Sequence, residues 1–134
     1  MSVSRFNSGG PFEEKFGYSR LVVAGPHAYC SGSTAVVDGM VNHEGDPYNQ
    51  ALTAFNVALK ALSEAGFRRE DVVRTRMYVV HPRDMEDVGR AHKELFDAVR
   101  PASTMVVVSK LIDAQMLVEV ELDAYREGTR HGSE

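Results

Sequence analysis

The chain has 134 residues, 43% hydrophobic and 25% charged, which excludes a disordered or fibrous chain and predicts a single domain over residues 1–134. A net charge of −4 supplies no basic surface for nucleic acid or anionic lipid, so a nucleic-acid partner is not expected. No apolar run approaches the ~20 residues that cross a bilayer, MSVSRFNSGG lacks the regions of a signal peptide, and a lone cysteine, Cys30, fits a reducing compartment, so a cytoplasmic location and no membrane partner are expected.

YSRLVVAG (18–25) and HAYCSGSTAVV (27–37) are β-rich runs separated by Gly25-Pro26, a turn-forming pair, and predict an early hairpin. Cys30 reads there as a small packed hydrophobe. VDGMVNHEGD (37–46), rich in Gly, Asn and Asp, reads as an exposed loop. Asp46-Pro47 then provides an N-cap and a first-turn proline, and apolar residues recur at Ala51, Leu52, Phe55, Ala58, Leu59, Leu62 and Ala65 until Gly66, which predicts an amphipathic helix. DVVRTRMYVV (71–80) alternates as a strand, and a second helix begins near Asp84, carries Met85, Val88, His92, Leu95, Phe96 and Val99 on one stripe, and ends before Pro101. Strands over 103–109 and 116–125 follow, and REGTRHGSE is a polar tail expected to fray from about residue 127.

The order β-β-α-β-α-β-β predicts an α+β fold, a mixed β-sheet with two helices on one face. Two helices cover one face only, so the other meets water or another subunit. Strand alternation sends Val118, Val120, Leu122 and Ala124 toward the helices and Glu119, Glu121 and Asp123 away from them. It likewise divides Val73, Thr75, Met77 and Val79 from Arg74, Arg76 and Tyr78, so arginines and carboxylates are expected to pair on the uncovered face. Met105 and Val107 are expected to add an apolar stripe to that face, which suits a homo-oligomer with ligand clefts between subunits.

GYSR (17–20), SGSTA (31–35), DVVRTRMYV (71–79), PASTMV (101–106) and LVEVELDA (117–124), in this order and spacing, resemble the RidA/YjgF family of reactive-intermediate deaminases. The resemblance implies a chorismate-mutase-like fold, a homotrimer packed through its sheets and three clefts between neighbouring subunits. Active members hydrolyse enamines and imines released by pyridoxal-phosphate enzymes to 2-oxo acids and ammonia, without metal or cofactor. Carried over by position, Tyr18 matches the family's cleft tyrosine, Ser31 and Gly32 its Ser-Gly turn, and Glu119 the glutamate that positions water, making Glu119 the catalytic candidate. Ser103, Thr104 and Met105 complete the expected substrate-binding set, with departures: Ser103 stands where active members hold a carboxylate-gripping arginine, Met105 where they hold a cysteine, and Gly89 near the place of a helix asparagine.

A serine hydroxyl offers one neutral hydrogen bond where arginine offers two charged ones, each about 1.5–3 kcal/mol, so simple 2-imino acids are not the expected substrates. Arg20, Arg100 and Lys110 are the other cations that packing has to bring in if that charge is replaced. The expected function is hydrolysis of a reactive imine to a carbonyl compound and ammonia in inter-subunit clefts. The alternatives are a non-catalytic small-molecule-binding trimer and, against the acidic composition, the RNA cleavage or translation inhibition reported for some relatives.

The remaining chemistry-bearing residues read as structural. His43, Glu44 and Asp46 lack helical ligand spacing, so no metal is expected. His92 lies on the helix stripe as a packed histidine, and His81 shapes the turn before Pro82. Ser31, Ser33 and Ser103 lack a nucleophile elbow, and Gly9-Gly10 lacks the Lys-Ser/Thr of a phosphate loop.

Overall fold

The computed structural model describes residues 2–127, so the tail expected to fray lies, beyond Glu127, outside the described residues. In chain order the elements are β1 (Val3–Phe6), α1 (Pro11–Phe16), β2 (Leu21–Ala24), β3 (His27–Ser33), β4 (Val36–Val37), β5 (Met40–Val41), α2 (Pro47–Glu64), β6 (Val72–Val79), α3 (Met85–Phe96), β7 (Ala102–Val107) and β8 (Val118–Tyr125). The seven expected elements are all present. β1, α1 and the small β4–β5 hairpin are additional: β1 is a four-residue edge strand with no alternating pattern, and α1 is a single short turn bounded by Pro11 and by Gly17 at φ 79°.

Helix α2 begins and ends as its sequence dictates. The Asp46 carboxylate accepts from the Asn49 amide at 3.0 Å, Pro47 occupies the first turn, and beyond the last turn Gly66 takes φ 89° while the Phe67 amide donates to the Leu62 carbonyl at 3.0 Å.

The main sheet has the order β1-β2-β3-β8-β6-β7, antiparallel throughout except for the parallel β6–β7 pair, which α3 connects. Val118, Val120, Leu122 and Ala124 of β8 are buried beneath Ala51, Ala54, Phe55, Ala58 and Leu62 of α2, with Val88, Ala91 and Phe96 of α3 in the same core. Phe55 meets Phe96 edge-on at 5.4 Å. Cys30 is buried in this core as expected, and burial pushes its thiol pKa up.

Two assignments of side chains to faces are corrected. Val73 is exposed because the β6–β8 register slips between Val72 and Arg74, so Val72 takes the buried position instead. Met105 and Val107 do not lie on the uncovered face: in the parallel pairing Ser103, Met105 and Val107 stand beside Thr75, Met77 and Val79, which point toward the helices. Met105 packs against the core next to α3, and Thr104 and Val106 take the uncovered side. That face retains exposed Tyr29 and Val106 among its paired charges.

Candidate functional site

Three acidic side chains of β8 point away from the helices, and two of them are engaged. Arg76 lies 3.9 Å from Glu121 and 3.6 Å from Asp123, Arg74 lies 4.0 Å from Asp123, and the Tyr78 hydroxyl donates to Glu121 at 2.6 Å. Glu119 stands directly across from Tyr78 and has neither hydrogen bond nor ion pair among the described residues. It is half-buried; burial raises its pKa, the charge on Glu121 raises it further, and Arg20 offsets part of the shift.

The gap that receives Glu119 is made in β3. Its pairing with β8 is regular up to Cys30–Leu122 and resumes at Ser33–Val120, so Ser31 and Gly32 form a bulge. Arg20 supplies the donors the ladder no longer provides: its Nη1 donates to the Ser31 carbonyl at 3.2 Å, the Gly32 carbonyl at 2.7 Å and the Ser33 hydroxyl at 3.0 Å. Ser31 is held in turn by its amide on the Arg20 carbonyl at 3.0 Å and its hydroxyl on the Ser19 carbonyl at 2.6 Å. The absence of a side chain at 32 lets Glu119 keep this position: a Cβ there would stand 2.9 Å from Glu119 Cδ and 3.3 Å from Cγ, and would overlap Oε2.

Glu13 of α1 closes the other side of Arg20. Its carboxylate lies 3.3 Å from Arg20 Nε and accepts from both the amide and the hydroxyl of Ser8. Burial alone would raise its pKa, yet the Ser8 hydrogen bonds and the Arg20 charge outweigh that and hold it below the ordinary carboxylate value.

These groups share one cleft of about 690 Å³. Tyr18, Arg20, Gly32 and Glu119 form its polar wall, Phe12, Glu13 and Phe16 of α1 one rim, Met40 of β5 another, and Ile112, Asp113 and Met116 of the β7–β8 connection a third. Tyr18 is partly exposed, with the Arg20 guanidinium 5.9 Å from its ring centroid.

Of the residues singled out in the sequence, Tyr18, Gly32 and Glu119 are therefore brought together, and Ser31 supports them from the bulge. Ser103, Thr104 and Met105 are not part of this cleft within one protomer. They lie on β7, two strands from β8, where the Thr75 hydroxyl donates to Ser103 Oγ at 2.8 Å and also meets His92 Nε2 at 2.8 Å. His92 is the packed histidine expected, its pKa lowered by burial. Among the three alternative cations, Arg20 reaches the cleft, Arg100 bonds to Asp97 through its carboxylate at 2.7 Å and its carbonyl at 2.8 Å, and Lys110 does not line the cleft. Glu13 was not anticipated; Pro11 and Gly17, which bracket its helix, were the available signal.

A family model described as Endoribonuclease L-PSP matches residues 12–126. An uncharacterized protein of Streptomyces coelicolor is 50% identical over 125 residues, covering 93% of each chain. A RutC family protein of Pyrococcus horikoshii is 27% identical over 112 residues, 82% of this chain and 87% of its own. The crystal structure of a YjgF/YER057c/UK114 family member from Mycobacterium tuberculosis superposes with a TM-score of 0.85 at 38% identity, covering 93% of this chain and all of that one.

Proposed function

The chain belongs to the endoribonuclease L-PSP family, the RidA/YjgF group, and from that premise we propose that it is an imine or enamine deaminase with Glu119 as its general base. One observation carries the reading. Of the three outward carboxylates on β8, only Glu119 is left unpaired among the described residues, and it is the one that lines a cleft. A carboxylate with its pKa raised is a better base than an ordinary one, which suits proton abstraction from water.

In this reaction water adds to the C=N carbon while Glu119 takes one of its protons. The carbinolamine nitrogen then receives that proton, the C–N bond breaks as Glu119 takes the hydroxyl proton and C=O forms, and a carbonyl compound and ammonia leave. Proton transfer of this kind contributes about 10²- to 10⁴-fold. The bulge keeps Gly32 and its neighbours in position, and Tyr18 forms the wall beside the base.

The proposal includes a homotrimer. β7 is a sheet edge, and the neighbouring subunit's β7 would bring Ser103, Thr104 and Met105 to a cleft that a single protomer builds without them. A ribonuclease reading is less well supported, because among the described residues Glu13, Asp113 and Glu119 line the cleft against the single cation Arg20, and a phosphodiester would be repelled. No helix among the described residues is long and apolar enough to cross a membrane. A cytoplasmic location is part of the proposal, supported by the lone, buried Cys30.

The test is to generate imines with an amino-acid or amine oxidase and follow semicarbazone formation with wild type, Glu119→Ala and Ser103→Arg. Wild type should suppress trapping and Glu119→Ala should not. If neither wild type nor Ser103→Arg accelerates hydrolysis of any imine, the deaminase reading is wrong.

A further inference from the structure

Charge in the cleft is distributed in a way that bears on what can enter it. Among the described residues of one protomer Arg20 is the only lysine or arginine on its walls, and a buried Glu13 lies against that positive charge at 3.3 Å. Two further carboxylates, Glu119 and Asp113, line the same space, and Glu119 has no ion pair among the described residues. A substrate carboxylate brought within ~5 Å of Glu119 would meet a like charge at an effective dielectric near 20, which weakens binding by about 10²-fold. A cation there gains by the same interaction.

The most exposed large side chains of the cleft are apolar. Met40, Ile112 and Phe16 are 70%, 63% and 59% exposed, the largest values among the big hydrophobic side chains, and all three sit on the cleft rims. Phe12 and Phe16 stack at 5.6 Å to form a flat wall, with Val57 and Met116 deeper. Concentration of exposed apolar area around one unpaired carboxylate describes a site for a cation with a hydrophobic body.

Resting on the deaminase reading, we propose that the substrate class is a carboxylate-free, N-protonated imine bearing an alkyl or aryl group. Its source would be oxidation of a primary amine rather than elimination from an amino acid. The reaction balances as R–CH=NH₂⁺ plus H₂O giving R–CHO and NH₄⁺. The water oxygen bonds to carbon as Glu119 removes a proton, the C=N electrons pass to nitrogen, and Glu119 returns the proton to that nitrogen; the C–N electrons then leave with ammonia as the hydroxyl O–H electrons form the C=O bond, and the hydroxyl proton passes through Glu119 to ammonia.

Calorimetric titration of the full chain with benzylammonium, benzyl alcohol and phenylacetate tests the charge preference without turnover. Benzylammonium should bind at least ~10-fold more tightly than benzyl alcohol, phenylacetate most weakly, and Glu119→Gln should remove the preference for the cation. Glu13→Gln, which frees Arg20, should strengthen phenylacetate binding. Phenylacetate binding as well as or better than benzylammonium overturns the proposal.

A second arm compares hydrolysis of the imine made from phenylethylamine by an amine oxidase with that made from phenylalanine by an amino-acid oxidase. Faster hydrolysis of the first supports the proposal. Faster hydrolysis of the second overturns the substrate class and leaves the deaminase standing. Cation-selective binding with no hydrolysis of either overturns the deaminase and, with it, the imine substrate, leaving only a cation-binding cleft.

Discussion

Gly32→Ala separates the position of Glu119 from the stability of the fold. The added methyl would overlap Glu119 Oε2 and press on Cδ at 2.9 Å and Cγ at 3.3 Å, so one side must give. Shifting the β3 backbone would disturb the Arg20 hydrogen bonds to the Ser31 and Gly32 carbonyls, at about 1.5–3 kcal/mol each for bonds to a charged group. Rotating Glu119 breaks no hydrogen bond, because it has none, and costs about 0.5–1.5 kcal/mol in rotamer strain. The side chain should therefore move and the backbone stay. Gly32 does not have positive φ, so the alanine itself adds no backbone strain. Gly32→Ala is then expected to lose less than about 1.5 kcal/mol in chemical denaturation while losing about 10²- to 10⁴-fold in turnover, as much as Glu119→Ala does. In the Glu119→Ala background it should change neither quantity appreciably, since the three nearest atoms all belong to that glutamate. Wild-type turnover by Gly32→Ala, or an equal stability loss with and without Glu119, would refute the reasoning.

Glu119→Gln should stabilise the protein at neutral pH. Burial raises the folded pKa above the unfolded one, so the stability Glu119 contributes is complete below its unfolded value and is lost as pH rises through the folded value; a neutral glutamine escapes that loss. Its denaturation midpoint should exceed wild type at pH 7 and converge with it as pH falls into the carboxylate range. Turnover by wild type should fall on its acid side at a pH above the ordinary glutamate value of about 4.3. Gln50→Leu should cost about 2–4 kcal/mol, measured in urea, because buried Gln50 accepts from the Leu117 amide and donates to the Gln115 carbonyl, both at 2.9 Å, and both would lose their partners. Asp46→Ala should cost about 1 kcal/mol through loss of the α2 cap, visible as a lower thermal midpoint.

The fold was legible where periodicity is strong. The α2 stripe, its Asp46-Pro47 start and Gly66 stop, and the alternation of β8 all express a single buried face against one exposed face, and each appears in the structure as read. Legibility failed where one extra residue changes the outcome. A bulge between Val72 and Arg74 inverts the placement of Val73, and nothing in DVVRTRMYV marks it. For β7 the error came from assigning faces without the register: once β7 pairs in parallel with β6, Met77 fixes Met105 on the helix side. Short elements were invisible for a different reason, since α1 and the β4–β5 hairpin are too brief to show a period at all. At the site, Glu119, Gly32 and Tyr18 were legible through the family pattern, and Arg20 only as a charge of unknown position. Its partnership with Glu13 depends on a chain segment folding back across seven residues of sequence, which no spacing rule encodes.

Two of the three outward β8 carboxylates are held in structural pairs and the third is not. Alternating arginines at 74 and 76 meet Asp123 and Glu121, and Tyr78 leans toward Glu121 as well, so the sheet supplies donors to every position except the one at 119. Across the opposite edge of β8, the bulge and a side-chain-free Gly32 remove the remaining neighbour that a regular strand would have placed there. Pairing Glu119 would have needed only one basic side chain at 78 or a regular β3, both common arrangements. Instead the fold holds an unpaired charge partly out of water, which is unfavourable by itself, and spends Arg20 on the bulge carbonyls and Glu13 rather than on Glu119. A local cost retained beside a 690 Å³ cleft rimmed by exposed apolar side chains is what a binding or catalytic carboxylate requires and what a stabilising one avoids.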